Sequence, residues 1–262
     1  MSRTARTRLI ETWDRAVDQF LRTGDAVPAA LEPWFNAYRG SGLGAVDRKA
    51  LPEPYLGDIM GRPRAAFLAL NPGEAFPFQR PGGAFVKHVQ ELGSYRAWAA
   101  SWPYLTGAWE QHHSGGKPNR HHASRLKFLR RWFSDERLGP SDMVAFELYP
   151  WHSSRITAAM RPDPELIYEF VWSPLAEIGV PAFAFGAPWF PLLEEPRLGL
   201  EVVDRLGQGG RPFGSRVASR SVLVLRHQQA GLTVLAEKHS GAAGPPSASE
   251  AALLQQAVND WF

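Results

Sequence analysis

Asn71 and Glu74 stand three residues apart, just past a short apolar run at 65–70, with Pro72-Gly73 between them. An amide orients a water molecule but takes up a proton poorly, whereas a carboxylate can act as a base or shield a developing cation. Asn71 is therefore a candidate water-holder, and Glu74 is the nearest candidate base or cation stabiliser. The structural alternatives are plain. Asn-Pro-Gly is an ordinary turn, and a carboxylate just past it suits the positive end of a helix. Two more polar segments close apolar runs: Glu147 to Ser153 after the run at 143–148, and Lys238-His239-Ser240-Gly241 after the run at 232–236.

Such segments need a scaffold. Leu9, Ile10, Trp13, Ala16, Val17, Phe20 and Leu21 recur at helical spacing and predict a helix over 7–21, ended by Gly24. Residues 25–60, rich in Pro, Gly and aromatics, predict a wrapping arm. The chain thus divides into a helix and arm at 1–60 and a main domain at 61–262. Strands are predicted at 65–70, 143–148 and 182–185, and helices around 83–92, 123–133 and 164–178. Residues 201–220 read as an insertion rich in arginine and glycine. Residues 221–225 and 232–236 either pair as a hairpin or flank a turn. Ser247 and Glu250 have the Ser-x-x-Glu spacing of a capping box, opening a last helix that runs to Phe262. Strands alternating with helices predict an α/β fold, a three-layer α/β/α sandwich with a mainly parallel central sheet. In such sheets the ligand site lies beyond the carboxyl ends of the strands, where all three polar segments fall.

Composition narrows the function classes. At 262 residues the chain can bury one full core. It has no cysteine, which excludes disulfides, thiolate zinc sites, a cysteine nucleophile and a cysteine-held iron–sulfur cluster. That suits a reducing cytoplasm, the expected location. No apolar run approaches the roughly 18 residues of a membrane span, and the basic N-terminus leads into an amphipathic stretch, so no export signal is expected. The net charge of +3 permits a polyanionic partner without demanding one. Arg125, Lys127, Arg130 and Arg131, with Arg205, Arg211, Arg216 and Arg220, either contact a phosphate backbone or form a solvated face. His112-His113 and His121-His122 lack the i, i+4 helical pairing of a metal site, so neither a metal nor any other cofactor is expected.

The segment from Leu70 through Asn71-Pro72-Gly73 to Phe78, continuing through Pro81-Gly82-Gly83-Ala84-Phe85, resembles the first motif of the uracil-DNA glycosylase superfamily. It is most similar to the mismatch-specific branch, where a strand ends in Asn-Pro-Gly and an aromatic follows. Lys238 to Gly241 resembles the second motif, and Phe146 to Pro150 falls where the base-reading strand stands. The ordered resemblance covers roughly residues 60–262.

It implies a uracil-DNA glycosylase-like fold and a monofunctional enzyme acting on a nucleotide flipped from duplex DNA. Cutting an N-glycosidic bond requires a placed water, a stabilised sugar cation and a stabilised leaving base. By resemblance Asn71 holds the water and His239 donates to the departing base, Lys238 or His239 occupying that position. Pro72, Gly73, Phe76, Phe78, Glu147 and Tyr149 would form the base pocket, with Phe76 and Phe78 either stacking on the base or packing in the core. Ser153 and Ser240 would bind flanking phosphates, with Trp151, His152, Lys238 and Gly241 on the same rim. Residues 242–247 would wedge into the duplex or serve as a linker. Uracil-reading members carry an asparagine where Glu147 stands, and a carboxylate would accept from the exocyclic amine of a cytosine.

That departure, the insertion and the N-terminal arm resemble what a bulky base requires. They point toward the superfamily's phage-defence enzymes, which excise glucosylated 5-hydroxymethylcytosine. The alternatives are a repair glycosylase for uracil or mismatched thymine, a non-catalytic DNA-binding module and a nucleoside hydrolase. A monomer without an obligate protein partner is expected.

Overall fold

The computed structural model describes residues 4–36, 45–107, 109, 117–156, 163–212, 221–227, 231–238 and 244–262, with Lys238 placed by its backbone alone. Thr4 caps helix α1 (Ala5–Thr23) by accepting from the Thr7 N–H, and Gly24, at φ 73°, ends it. One stripe of α1, including Leu9, Trp13, Val17 and Phe20, is buried. Trp13 meets Trp34 of the short helix α2 (Glu32–Asn36), and both meet Trp151, with ring centroids 6.0, 5.8 and 5.7 Å apart. The described residues among the first sixty therefore share the core of the rest of the chain.

Among the described residues seven strands form one mixed sheet: β1 (Tyr55–Leu56), β2 (Ala65–Ala69), β3 (Met143–Glu147), β4 (Ala182–Phe185), β5 (Leu200–Gly207), β6 (Ser221–His227) and β7 (Leu232–Lys238), in the order β1-β3-β2-β4-β7-β6-β5. The central four, β3-β2-β4-β7, are parallel, while β1, β6 and β5 run antiparallel to their neighbours. Every residue of β2, β3 and β4 is buried, so both faces are covered, as parallel sheets require. The chain is α/β, as the alternating pattern predicts. The expected insertion at 201–220 is corrected in its first part: residues 200–207 form a strand, while 213–220 lie outside the described residues. Residues 221–227 and 232–238 pair antiparallel, as the hairpin alternative expects.

Further helices among the described residues are α3 (Ala84–Leu92), α4 (Tyr95–Ala100), α5 (Arg120–Trp132), a rod α6 made of Pro164–Ile167, Tyr168–Trp172 and Ser173–Ile178, then α7 (Trp189–Leu193) and α8 (Ala248–Val258). The middle of α6 widens to a π turn. Pro174 has no N–H for the carbonyl four residues back, which explains the loosened ladder. Phe128 of α5 packs on Phe67, Phe183 and Phe185 of the sheet, and Gln255 of α8 donates to the Trp132 carbonyl at the end of α5 (2.7 Å). The Ser247–Glu250 capping box is present, but α8 gives way to a 3-10 turn after Val258.

The chain leaves β2 for β3 on one side and leaves β4 for β5, at the far edge of the sheet, on the other. A crevice forms where such paths part, beyond the ends of β2 and β4. There Gly186 takes φ +124°, and a Cβ on it would stand 2.9 Å from Leu70 Cδ1, so glycine lets the two strand ends close up.

Candidate active site

A cavity of about 500 Å³ opens beside the end of β2. Leu70, Asn71, Pro72, Gly73, Glu74 and Phe76 line it from a single loop, with Asn119, His121 and His122 from the start of α5. Gln79, Tyr104, Trp109, Ser154 and Ile156 complete the lining. Gly73 sits at φ 83°, a left-handed conformation that permits the loop to turn over the strand end.

Asn71 is anchored from one side. Its Nδ2 donates to the Ser153 carbonyl (2.9 Å) and to Ser153 Oγ (3.0 Å), across 82 residues of sequence. With both amide protons engaged, Oδ1 is the group left to act, and it has no protein partner among the described residues. It is an acceptor held at fixed orientation, as a water-positioning group must be. Glu74 is the exposed carboxylate of the same loop. Phe76 is 39% exposed and stacks on Phe78, centroids 5.3 Å and planes 9° apart, while Trp109 meets both rings edge-on. Phe78 does not line the cavity. It supports Phe76 and packs on Phe85 of the core (4.8 Å).

One buried carboxylate ties the cavity loops together. Glu53 Oε1 accepts from Gln79 Nε2 (2.7 Å) and the Tyr104 hydroxyl (2.5 Å), and lies 3.1 Å from His152 Nε2. The other nitrogen of His152 lies 3.1 Å from the Gly73 carbonyl. Gln79 Oε1 in turn accepts from the Phe76 N–H (2.8 Å). Four segments far apart in sequence are thereby fixed around the cavity, with every one of these groups satisfied. Burial and Glu53 push the Tyr104 hydroxyl well above its ordinary range, so it stays protonated as a donor.

A second buried group stands behind α5. Arg125, 1% exposed, reaches His121, His122 and Glu147 Oε1, the last at 4.0 Å. Burial pushes Glu147 up from 4.5 to about 7, against the opposing pull of Arg125. A carboxyl whose folded pKa exceeds its unfolded value contributes stability that is complete below about pH 4.5 and is lost as pH rises through about 7. The swing is about 3 kcal/mol at ~1.4 kcal/mol per unit. Glu147→Gln is expected to flatten the pH dependence of stability between pH 5 and 8, most visibly as a gain at pH 8. Urea unfolding at both pH values checks this, and an unchanged slope contradicts it.

Of the sequence-predicted residues, Asn71, Pro72, Gly73, Glu74 and Phe76 meet in one cavity. Glu147 is 4% exposed and does not line that cavity; it faces Arg125, because its position in β3 turns it toward the α5 side of the sheet. Tyr149 is sealed in the core at 1% exposure. The expected DNA contacts Trp151, His152 and Ser153 are also corrected. All three are buried, Trp151 donating to the Ala26 carbonyl, His152 bridging Glu53 and Gly73, and Ser153 anchoring Asn71. They position the site from inside. His239, Ser240 and Gly241 and the Lys238 side chain lie outside the described residues. Among the expected basic contacts, Arg125 is buried, Arg130 binds the Leu138 carbonyl, and Arg205 and Arg211 pair with Glu194 and Asp204 (2.6 Å each). Arg216 and Arg220 are outside the described residues.

Sequence reading missed Glu53, Gln79, Tyr104 and Trp109 and gave His121-His122 no role. The one available signal was a lone charged residue, Glu53, inside the apolar stretch Leu51 to Leu56. No protein-family model matches this chain, and comparison with curated proteins and with solved structures gave no match.

Proposed function

We propose that this chain is a monofunctional DNA glycosylase that hydrolyses the N-glycosidic bond of a modified pyrimidine flipped from duplex DNA. The observation that carries this reading is the Asn71 amide, fixed through its nitrogen and without a protein partner at its oxygen among the described residues, beside an exposed aromatic ring in one cavity. A water donating to Asn71 Oδ1 is oriented with its lone pair available for the sugar carbon. The exposed ring of Phe76 stands at the cavity where the extruded base would lie, and Glu74 supplies negative charge at the loop where the sugar cation develops. Nothing in this scheme requires a cofactor.

Cavity volume, rather than Glu147, now favours a substituted base. About 500 Å³ lies within the range of small-ligand sites and exceeds the needs of a bare pyrimidine ring. Glucosylated 5-hydroxymethylcytosine of viral DNA is the substrate we infer, and defence against phage is the corresponding role. Mass spectrometry of bases freed from glucosylated, uracil-containing and T:G-mismatched DNA tests this. Release from the glucosylated DNA is expected. Release from the uracil or mismatch substrates alone replaces it with the repair reading, and salt-sensitive DNA binding without any release replaces it with a binding module.

The same loop also borders a cationic cleft. Arg80, Pro81 and Gly82 line a second cavity of about 600 Å³ together with Arg22, Lys49 and Lys87. Arg80 pairs with Asp47 (2.7 Å), while Arg22, Lys49 and Lys87 have no carboxylate within 4.0 Å among the described residues. This cleft is our choice for the DNA backbone. Lys49→Glu with Lys87→Glu is expected to lower the slope of log Kd against log salt by about 2, close to one unit per phosphate contact. An unchanged slope in a salt titration places the backbone elsewhere.

A further inference from the structure

His121 and His122 stand side by side at the start of α5, and Arg125 fixes both rings. Its NH2 donates to His121 Nε2 at 2.6 Å and its NH1 to His122 Nδ1 at 3.3 Å. A guanidinium has protons to give and no lone pair, so each of those ring nitrogens must accept. The single ring proton then sits on Nδ1 of His121 and on Nε2 of His122. One buried arginine thus imposes opposite tautomers on two neighbouring rings.

Both rings line the cavity. Neither remaining N–H has a protein partner among the described residues, and neither nitrogen is among the sealed, unbonded atoms. Asn119 extends the pattern. Its Oδ1 accepts from the His121 and His122 backbone N–H groups, leaving Nδ2 as another donor at the cavity. The groups around the imidazoles keep them neutral. Arg125 lies against both, and His122 stacks on Tyr104 (4.7 Å) and meets Trp102 (6.0 Å). Burial and then Arg125 hold His122 below the usual histidine range, while His121, exposed at the cavity mouth, is pulled down chiefly by the Arg125 charge. Glu147 is the counter-charge to Arg125 on the far side.

We propose that His121 and His122 form a donor wall that recognises the acceptor edge of the flipped base, the O2 and N3 side of a pyrimidine. Arg125 is the positioning residue that sets both tautomers. This deepens the glycosylase reading and rests on it for the identity of the ligand. A neutral N–H donor does more than select an acceptor edge: its hydrogen bond strengthens as the base departs with negative charge. It also disfavours a base that turns an N–H toward it, because two donors then face each other.

Long-range proton–nitrogen NMR of the full chain, with labelled histidine, reads the tautomers without substrate. The expected result is an Nδ1–H form for His121 and an Nε2–H form for His122, neither titrating between pH 5 and 8. Either ring in the other tautomer, or titrating near its ordinary value, overturns the proposal. The second measurement uses His122→Phe, which keeps a ring stacked on Tyr104 and removes the donor. Its binding is compared on two duplexes, one with glucosylated 5-hydroxymethylcytosine on a non-hydrolysable 2′-fluoro sugar and one with an abasic analogue. The preference for the base-bearing duplex should fall about tenfold. An unchanged preference overturns the wall. If the tautomers are as stated but no DNA releases a base, the glycosylase reading fails and the donor wall stands.

Discussion

Asn71→Ala is expected to slow base release by about 10²–10⁴-fold while the chain stays folded. The substitution removes the side-chain acceptor of the Asn71–Gly73 turn, whose orientation is fixed through its nitrogen. It also removes two hydrogen bonds to Ser153, at about 1 kcal/mol each, so a fall of a few degrees in Tm should accompany the kinetic loss. Single-turnover measurement separates the two effects, because binding of uncleaved duplex should change little. Asn71→Asp is a sharper variant. A carboxylate cannot donate to the Ser153 carbonyl, so it should lose the orientation that asparagine keeps. A rate unchanged in both variants would remove Asn71 from the chemistry.

Trp151→Ala is expected to cost about 3–5 kcal/mol of folding stability, the usual penalty for emptying a large aromatic site. Trp151 is fully buried, meets Trp13, Trp34 and Phe35, and spends its N–H on the Ala26 carbonyl. Urea unfolding measures the loss, and duplex affinity per folded molecule should be unaffected. A loss below about 1 kcal/mol joined to weakened DNA binding would return Trp151 to the surface where its neighbours in sequence first placed it.

The contrast between those two residues shows what was legible in the chain. Periodicity marked β2, β3, β4, α1, α3 and α6, because their apolar positions repeat locally. It marked the turn at Asn71 for the same reason, since Pro72 and Gly73 announce it. Burial of Trp151 was hidden, because it depends on α1 and α2 arriving from more than a hundred residues away, and that of His152 because its partners Glu53 and Gly73 come from other segments of the chain. The strand at 200–207 was obscured by its polar residues Glu201, Asp204 and Arg205, which break the apolar alternation. Polar residues are expected of an edge strand, and arginine and glycine just beyond it made it read as a loop. The role of Glu53, unlike its lone charge, was hidden for a different reason. Its three partners are held by segments around positions 79, 104 and 152, and no local spacing encodes such a meeting.

The outermost strand, β5, has a consequence for how copies of this chain meet one another. A bare strand border is a template on which a neighbouring molecule can continue the ladder. Here the register of β5 shifts between Val202 and Asp204, and the chain beyond it folds back so that Arg211 exchanges backbone hydrogen bonds with Arg205 and Gly207. A foreign strand arriving at that border would meet a kink, an end already occupied and the Arg211–Asp204 ion pair. Growth into stacked aggregates through this side is thereby opposed at the backbone itself, independently of how soluble the surface is.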